Sequence, residues 1–593
     1  MAHRARNTIV MLALPGTVAF GLAWLRLLRK LSSPAQAYDS EPGLERHGIC
    51  LAWVFRAAFL MSCHFRTCRS LLLACAVLCA AGCVSPGALR PPAGEPRYEP
   101  VVKESALGKT LQARIARHPG TSGFRLVNAG IDGLLARIEL IDEAQYSLDL
   151  QYYIFRCDDS GKRLQQALLR AADRGVHVRI ISDDGETVPG DEKLLLLTAH
   201  PMIEVRMFNP FSYRGHNPVL RGLDFLFHKS RLDYRMHNKL MVVDDAVALT
   251  GGRNIGDQYF QVDPESQFGD DDIVAVGPVV TRLEAEFAEY WNSPAVVDGR
   301  RLLLHPVDAT TLARYAQELS APHPLLETYA TAFEQRLRSG EPLHTILAED
   351  SALIWTQATV IYDSPEKKRV RKGERFGQLM YTPMAERIAG TRSRLLIVTP
   401  YFVPTPGELQ LLSKQIERNV QVRILTNSLM ATPDVAAQAG YARYRPTLLK
   451  DGVKLYEIRS DLGNTRGSGE SRKIAKFGTY ALHAKLFVFD RAAVFVGSMN
   501  LDQRSVRLNT EMGLIIESDQ LADTIGARFD GLASPDNAYE VVLDDPPHHS
   551  APQLLWRTRE KGEVVDYRTE PARSWRQRFE MKLLSLLPLD PEL

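Results

Sequence analysis

Two stretches of eight residues carry the main structural signal of this chain: HNKLMVVD at residues 237–244 and HAKLFVFD at residues 483–490. After six further residues, each is followed by a short segment with glycine and asparagine, GGRN at 251–254 and GSMN at 497–500. His483 lies 246 positions after His237. An apolar run of this length next to a His-x-Lys pair predicts a buried β-strand in each copy.

The repeat extends on either side of these motifs. The first copy contains SLDLQYYIF from Ser147, the helix-like LQQALLRAADRG and the strand-like VHVRIISDD from Val176. The second copy contains RLLIVTPYFV from Arg394, GELQLLSKQIERN and VQVRILTNS from Val420. Apolar strands that alternate with amphipathic helices predict an α/β fold with a mostly parallel central sheet in each half.

Length and charge set the broad class of protein. The chain has 593 residues with a formal net charge of +2, from 72 basic and 70 acidic residues, which does not favour a nucleic-acid binder. The predicted plan is an upstream extension or membrane anchor at 1–60, a lipoprotein-type signal at 61–83, a linker at 84–104, a first half at 105–310, a helical connector at 311–344, a second half at 345–545 and a C-terminal tail with an amphipathic segment at 546–593.

The N-terminal region predicts attachment to a membrane. From Met61, two arginines precede the uncharged run LLLACAVLCAA and the pair Gly82-Cys83, which is typical of a bacterial export signal with lipidation at Cys83. Ala80 stands where leucine is usual in such a processing box. Alternatively, the uncharged stretch Thr8 to Leu25 is itself an anchor, because its 18 residues just suffice to span a bilayer. Both interpretations place the protein in the bacterial cell envelope, and the export signal places its globular part on the periplasmic side.

Each motif predicts one face of a polar pocket. Strand periodicity directs His237 and Lys239 to one side of their strand, and His483 and Lys485 likewise. The candidate phosphate-binding groups are the glycine, amide and hydroxyl residues that follow, Gly252, Asn254, Ser498 and Asn500. The acidic residues that close the motifs, Asp244 and Asp490, have the opposite strand parity and are predicted to serve the fold or the domain interface.

The repeated HxKxxxxD followed by GxxN resembles the phospholipase D superfamily over roughly residues 105–545. Segments such as GGRNIGDQYF, VGPVV, AGYARYR and GSMNLDQRSVRLNTE are most similar to bacterial cardiolipin synthases, especially the C-type enzymes. The resemblance implies two α/β/α halves related by a pseudo-twofold axis, with both motifs at their interface.

The resemblance also implies roles for the site residues. His237 is expected to be the nucleophile that forms a phosphohistidine, and His483 the general acid and then base, although the symmetry leaves the reverse assignment open. Lys239 and Lys485 are expected to bind the non-bridging phosphate oxygens. An acidic residue should orient each imidazole. Glu511 matches the family position in the second half, and in the run GDDD we favour Asp270 over Asp271 or Asp272.

No metal or other cofactor is expected, because the lysines supply the positive charge that divalent ions supply elsewhere. The expected partners are phospholipids, namely phosphatidylglycerol and phosphatidylethanolamine, and a membrane surface, whereas nucleic acid is not expected. Three functions fit the motifs: phosphatidyl transfer that makes cardiolipin, hydrolysis of a phosphodiester, and lipid binding without catalysis. The first is favoured.

The C-terminal tail contains SWRQRFEMKLLSLLPLDPEL, in which Trp575, Phe579, Leu583 and Leu586 fall at near-helical spacing. Such a helix suits a position on a bilayer surface, with its basic residues elsewhere on its circumference. It equally suits packing with the apolar side inward on the second half. The sequence leaves both interpretations open.

Overall fold

The structure is a computed structural model that describes residues 105–215, 217–321, 347, 349, 352–374, 377–462, 479–544 and 552–587. The predicted extension, the signal with Cys83 and the linker lie outside these residues, as does most of the connector after residue 321. Within the described ranges, no helix combines the length and the apolar character needed to cross a membrane.

The first half contains nine strands and seven helices among the described residues. Asp158 caps its main crossover helix by accepting a hydrogen bond from the amide of Gly161. The strands are β1 Ser122–Val127, β2 Ser147–Tyr152, β3 His177–Asp183, β4 Ile203–Phe208, β5 Lys239–Val243, β6 Val247–Gly251, β7 Ser266–Gly269, β8 Asp272–Val276 and β9 Val296–Asp298. The α-helices are α1 Ala106–Ile115, α2 Gly130–Glu143, α3 Asp159–Asp173, α4 Pro218–Phe227, α5 Lys229–Leu232, α6 Pro278–Trp291 and α7 Ala309–Leu319, and 3₁₀ helices span Asp191–Ala199 and Gly299–Leu302.

Helix α4 belongs to a compact unit that is separate from the main body of residues 86–211 and 228–593. Its described part is Ser212–Phe227 without residue 216. Within it, the amide of Tyr213 donates to the carboxylate of Asp224 at 2.8 Å.

The second half repeats the pattern. A capping box between Thr405 and Glu408 begins its first crossover helix. The strands are β10 Ile354–Thr356, β11 Ala358–Tyr362, β12 Arg394–Val398, β13 Phe402–Val403, β14 Gln421–Asn427, β15 Lys454–Ile458, β16 Thr479–Leu482, β17 Leu486–Phe489, β18 Ala493–Gly497, β19 Leu501–Asp502, β20 Met512–Ile516, β21 Ala538–Asp544, β22 Gln553–Glu560 and β23 Glu563–Tyr567. The helices are α8 Lys367–Arg371, α9 Tyr381–Gly390, α10 Pro406–Glu417, α11 Val435–Ala442, α12 Arg445–Asp451, α13 Gln503–Arg507, α14 Asp519–Leu532 and α15 Trp575–Ser585.

The two large sheets share one strand order. The first runs β10-β1-β8-β6-β5-β2-β3-β4-β9, and the second runs β11-β20-β18-β17-β12-β14-β15-β21-β22-β23. Each motif strand, β5 or β17, lies between its hairpin partner and the first crossover strand of its half. The prediction of two α/β halves is therefore confirmed.

The prediction that each sheet is mostly parallel is wrong. Parallel pairing is confined to β2-β3-β4 in the first sheet and to β12-β14-β15 in the second. The other ladders are antiparallel, because the motif strands return through tight hairpins such as the turn at Asp244 and Asp245, where both residues have positive φ. Within the two large sheets, only the strands joined by helical crossovers run parallel; the two-stranded sheets β7-β16 and β13-β19 are also parallel.

The sheets do not begin and end at the predicted domain boundaries. Strand β10, inside the predicted second half, pairs antiparallel with β1 of the first sheet. Strands β22 and β23, inside the predicted tail, extend the second sheet from β21. Strands pair through backbone groups that every residue has, so this pairing does not show in the amino-acid composition. Domain boundaries predicted from composition therefore do not include it.

The two halves share an apolar core. It contains Leu240 and Val242 of β5 together with Leu486 and Val488 of β17. Buried side chains of α6 and α14 belong to the same core, whereas α2 and α3 pack in a core of the first half and α9 and α10 in one of the second. The motif strands therefore lie in the sheets that face the shared layer.

Candidate active site

Short backbone pairings between the halves place both motif histidines. The amide of His237 donates to the carbonyl of Thr510 at 2.9 Å, and the amide of Thr510 donates to the carbonyl of Arg235 at 2.8 Å. On the other side, β16 pairs with β7, and the amide of His483 donates to the carbonyl of Gly269 at 2.7 Å. Each histidine is thereby held beside the residue that precedes an acid of the opposite half.

The consequence is that the histidine–carboxylate pairs cross between the halves. Nδ1 of His237 lies 2.8 Å from Oε2 of Glu511, and Nδ1 of His483 lies 2.5 Å from Oδ2 of Asp270. All four side chains are buried. Because each carboxylate engages Nδ1, it orients the imidazole ring.

The structure distinguishes the three aspartates of the GDDD run. Asp270 faces His483, whereas Asp271 forms an ion pair with Arg528 of the second half. Asp272 accepts hydrogen bonds from two buried arginines, Arg137 and Arg253, at 2.9 and 2.7 Å. Asp270 is thus the member of the run that lies at the histidine.

Both motif lysines lie beside their histidines. Nζ of Lys239 donates to the carbonyl of His237 at 2.6 Å. Nζ of Lys485 donates to the carbonyl of His483 and lies 2.9 and 3.1 Å from the two ring nitrogens of that histidine. The two ammonium groups therefore share a buried cluster with the two imidazoles and with the carboxylates of Glu511 and Asp270, and burial together with Lys485 holds the pKa of Lys239 well below its usual value.

Burial and mutual repulsion shift the titration of this cluster. Burial, with the ammonium groups of Lys239 and Lys485, holds the pKa of His237 well below its usual value, and burial and Lys485 lower the pKa of His483 to about 3. Burial lowers the pKa of Lys485 to about 8 and raises the pKa of Glu511 to about 7. Burial opposes ionisation of Asp270, but His483 and Lys485 outweigh it and bring that pKa below its usual value. Burial and the neighbouring ammonium groups therefore both oppose protonation of the two imidazoles.

The residues after each motif strand support the carboxylates. Oγ of Ser498 donates to Oε2 of Glu511 at 2.5 Å, and Ser505 donates to Oε1 at 2.8 Å. The position equivalent to Ser498 is Gly252, where a Cβ atom would collide with the carboxylate of Asp270. Ser498 and Gly252 were predicted to bind phosphate, but their observed contacts are with the acids.

The two asparagines keep polar atoms available at the site. Oδ1 of Asn254 accepts a hydrogen bond from the amide of Ile154 at 3.2 Å. Its buried Nδ2 has no well-aligned hydrogen-bond partner among the described residues, and neither has Oδ1 of Asn500. A ligand acceptor such as a phosphate oxygen could pair with the donor Nδ2 of Asn254, whereas Oδ1 of Asn500 is an acceptor and would need a ligand donor.

The motif aspartates lie away from the histidines. The carboxylate of Asp244 accepts hydrogen bonds from the amides of residues 145–147 at 2.8–3.3 Å. The carboxylate of Asp490 accepts the amides of residues 392–394 at 2.7–3.2 Å. Each aspartate thus ties the hairpin of its motif strand to the start of the neighbouring strand, β2 or β12.

Aromatic side chains that the sequence did not single out pack against both histidines. The ring of Tyr153 lies edge-on to His237 at 5.1 Å and 5.4 Å from Nζ of Lys239. Tyr259 lies edge-on to His483 at 5.1 Å, and Phe268 stacks on the same imidazole at 5.4 Å. The two adjacent tyrosines in SLDLQYYIF could have predicted the contact with His237. Neighbouring residues of a strand face opposite sides, so if Tyr152 faces the core, Tyr153 must face the other side.

A cluster of acids away from the histidines is the candidate metal-binding group in the part of the chain that the structure describes. It consists of Asp149, Asp245 and Glu284. Arg179 already donates to both carboxylate oxygens of Asp149, at 2.6 and 2.5 Å. Neither motif histidine belongs to this cluster.

Comparisons with known proteins show the family of the chain. The chain matches the family described as "Cardiolipin synthase, PLD-like domain" over residues 137–291 and 384–533, one match in each half. It is 37% identical over 485 residues to a protein of Escherichia coli (strain K12) named "Cardiolipin synthase C", covering 80% of this chain and 97% of the relative. A "Cardiolipin synthase" of Geobacillus thermodenitrificans is 26% identical over 410 residues, 68% of this chain and 65% of the relative.

Among solved structures, a phosphatidylserine synthase of Haemophilus influenzae is similar with a TM-score of 0.46 and 12% identity, over 73% of this chain and 92% of that chain.

The fold and the doubled motif define a phospholipase D-like phosphotransfer enzyme with one site made by two halves. Within that class, the chain belongs to the cardiolipin synthase family of PLD-like proteins. The predicted family is confirmed.

Proposed function

We propose that this protein makes cardiolipin by transferring a phosphatidyl group to the hydroxyl of phosphatidylglycerol, with phosphatidylglycerol or phosphatidylethanolamine as donor. The observation that carries the proposal is the pair of crossed histidine–carboxylate contacts, Glu511 with His237 and Asp270 with His483. Two imidazoles with their Nδ1 atoms engaged supply a nucleophile and a proton carrier in one site. The family of the chain supports the lipid substrate.

In the first step, Nε2 of His237 attacks the donor phosphorus, and the bond from phosphorus to the headgroup oxygen breaks. His483 gives its proton to that oxygen, so that glycerol or ethanolamine leaves as a neutral hydroxyl. The phosphatidyl group remains on His237. Lys239 and Lys485 are placed to stabilise the charge on the non-bridging oxygens, and Asn254 and Asn500 to bind them.

In the second step, His483 takes the proton from a hydroxyl of the acceptor phosphatidylglycerol. The resulting oxygen attacks phosphorus, the phosphorus–nitrogen bond breaks, and cardiolipin and free His237 are formed. For the first step His483 must be protonated, although its pKa is about 3 without substrate. The negative charge of a bound phosphodiester counters the repulsion from Lys485 and raises that pKa.

The roles of the two histidines rest on family resemblance and are tested by trapping the intermediate. With His483→Ala, release of the adduct is slowed, and an acid-labile, base-stable phosphoryl group should accumulate on His237. His237→Ala should show no adduct. An adduct on His483 in the His237→Ala protein would reverse the roles, and a tenth of wild-type turnover in either variant would contradict a shared site.

Transfer and hydrolysis differ in what resolves the phosphohistidine. Water at about 55 M competes with the acceptor lipid, so transfer dominates only where the acceptor hydroxyl is held at the base and water is kept out. The experiment is lipid analysis after expression in cells that lack cardiolipin, with His237→Ala as the control. Cardiolipin should be the main product and phosphatidic acid a minor one. Phosphatidic acid as the main product would leave a phospholipase D.

For location, we propose attachment to the bacterial cell envelope as a lipoprotein through Cys83, with the catalytic part on the periplasmic side. The support is the signal-like sequence that ends at Cys83. Expression from Met61 should yield a protein labelled by fatty acid, and Cys83→Ser should abolish the label. Membrane attachment that persists without label would instead favour the anchor at Thr8 to Leu25.

A further inference from the structure

The last helix, α15, turns its large apolar side chains outward. Trp575 is 69% exposed, Phe579 62%, Leu583 54% and Leu586 81%. At 100° per residue, these four side chains fall within one stripe along the helix and its C-terminal cap. Packing of this stripe inward on the second half, one of the two interpretations that the sequence allowed, is therefore not what the structure shows.

The opposite side of α15 holds the helix on the second half. Met581 is buried with Leu429 and with Ala439 of α11. Nε2 of Gln577 donates to the carbonyl of Leu429 at 2.6 Å, and Nε of Arg443 donates to the carbonyl of Ser585 at 3.1 Å. The exposed stripe thus belongs to a helix that is fixed on its other face.

Basic side chains accompany the stripe. Lys582 lies next to Leu583 and one turn from Phe579, and Arg576 follows Trp575; both are exposed. Glu580 is the acidic residue of α15, and helical spacing places it farther from the stripe than Lys582. An apolar stripe with tryptophan and flanking cations matches a bilayer surface that contains anionic phospholipid.

A chain of contacts connects α15 to the catalytic site. Asn500 is followed by β19, which pairs with β13. Phe402 of β13 packs against Tyr441 of α11 at 5.6 Å, and Ala439 of α11 belongs to the cluster in which Met581 of α15 is buried. Helix α15 is therefore linked to the loop that carries Asn500 through α11 and the β13-β19 pair.

We infer that the outward stripe of α15 is a lipid-docking surface, which inserts into the headgroup region of a membrane containing phosphatidylglycerol and holds the catalytic site at that surface. The identity of the lipid as substrate rests on the proposed function, whereas insertion of the helix does not. The contact adds a second point of attachment near the site, independent of any attachment through the N-terminal region.

The test uses the full chain reconstituted with vesicles of phosphatidylglycerol and phosphatidylethanolamine whose acyl chains carry bromine, which quenches tryptophan fluorescence at contact. Bromine should quench the fluorescence of Trp575 in the wild-type protein. Trp575→Phe should lack this quenched component, although it should still dock because phenylalanine keeps the stripe apolar. Arg576→Glu with Lys582→Glu should reduce that quenching severalfold. Leu304→Ser, which removes a side chain that is 75% exposed in the first half, is the matched control and should change nothing.

Activity gives the second measurement. Phe579→Ser with Leu583→Ser should lower turnover on vesicles by about tenfold or more, and leave turnover of a short-chain, monomeric phosphatidylglycerol unchanged. Equal quenching of wild type and Trp575→Phe would overturn the inference, as would equal loss on both substrates. A dimer that the serine variants dissociate, without bromine quenching, would assign the stripe to a second copy. Absence of cardiolipin product alone would count against the proposed function and not against docking.

Discussion

For single side chains, the main result is that each motif histidine contacts a carboxylate of the opposite half. His237 is oriented by Glu511 of the second half, and His483 by Asp270 of the first. The exchange follows from two short backbone contacts, at Thr510 and at Gly269. An isolated half would therefore present its imidazole without the acid that sets its tautomer.

Removing either carboxylate charge should be almost as damaging as removing a histidine. We expect Glu511→Gln and Asp270→Asn each to lower kcat by about 10³–10⁴-fold, because the amide favours the wrong tautomer and gives no support to a cationic or phosphorylated ring. Steady-state kinetics on mixed-lipid substrate measures this. Asp272→Asn is the control from the same run: it should lower the melting temperature, because Arg137 and Arg253 lose charge compensation, while the folded protein keeps its turnover. Retention of activity in Glu511→Gln would show that the crossed contact has no catalytic role.

The shifted pKa values predict a narrow pH optimum. Burial lowers the pKa of Lys485 to about 8, so its positive charge is lost as pH rises through that value. Burial raises the pKa of Glu511 to about 7, so its negative charge is lost as pH falls through that value. Ionised Glu511 and protonated Lys485 coexist to the largest extent between about pH 7 and 8, so turnover at saturating substrate should decline on both sides of that range. A profile that is flat up to pH 10 would contradict the role assigned to Lys485.

Among the secondary-structure elements, the hairpin of each motif is held by its aspartate. Asp490 accepts three consecutive backbone amides at the start of β12, as Asp244 does before β2. These hydrogen bonds fix the register between the motif strand and the first crossover strand. They explain why the motif ends in an acid that does not contact the histidines.

Replacing Asp490 should therefore affect stability rather than chemistry. Asp490→Ala leaves several amides without an acceptor and should lower the free energy of unfolding by about 1–3 kcal/mol, with kcat of the folded protein unchanged. Thermal and denaturant unfolding measure the first effect, and kinetics at low temperature the second. Asp523→Ala, which removes an exposed partner of Arg491, should cost less than about 1 kcal/mol. A large fall in kcat without loss of stability in Asp490→Ala would place this residue in the chemistry.

For the molecule as a whole, the halves are joined by more than the site. They share one apolar core through the motif strands and through α6 and α14. Strand β10 completes the sheet of the first half from beyond the connector, and Arg528 forms an ion pair with Asp271 across the halves. Such an arrangement couples the stability of the two halves.

Unfolding of the two halves should accordingly be one cooperative transition. Differential scanning calorimetry should give a single unfolding peak that includes both halves. The calorimetric and van't Hoff enthalpies of that peak should be close to each other. Asp271→Asn, at the interface, should shift the whole peak. Two resolved transitions, of which only one shifts, would show that the halves unfold independently.

The amino-acid sequence alone was enough to predict which residues form the candidate site. The doubled motif identified the family and predicted both histidines and both lysines as site residues, because residue types and their spacing are read from one short segment, although His237 lies just before β5 and His483 and Lys485 just before β17. Strand parity also separated Asp244 and Asp490 from the histidines. The sequence-based hypotheses placed Glu511 and Asp270 near the site, and favoured Asp270 among three adjacent aspartates.

Contacts between segments that are far apart in the sequence could not be predicted in this way. These include the crossing of the acids, the antiparallel pairing around the motif strands, the contribution of β10 to the other sheet and the outward face of α15. The physical reason is that backbone amides and carbonyls are nearly the same at every residue, so pairing between segments that are far apart in the sequence leaves no local pattern. It follows instead from how two complete halves pack around a common core, and that packing places each histidine beside the carboxylate of the other half.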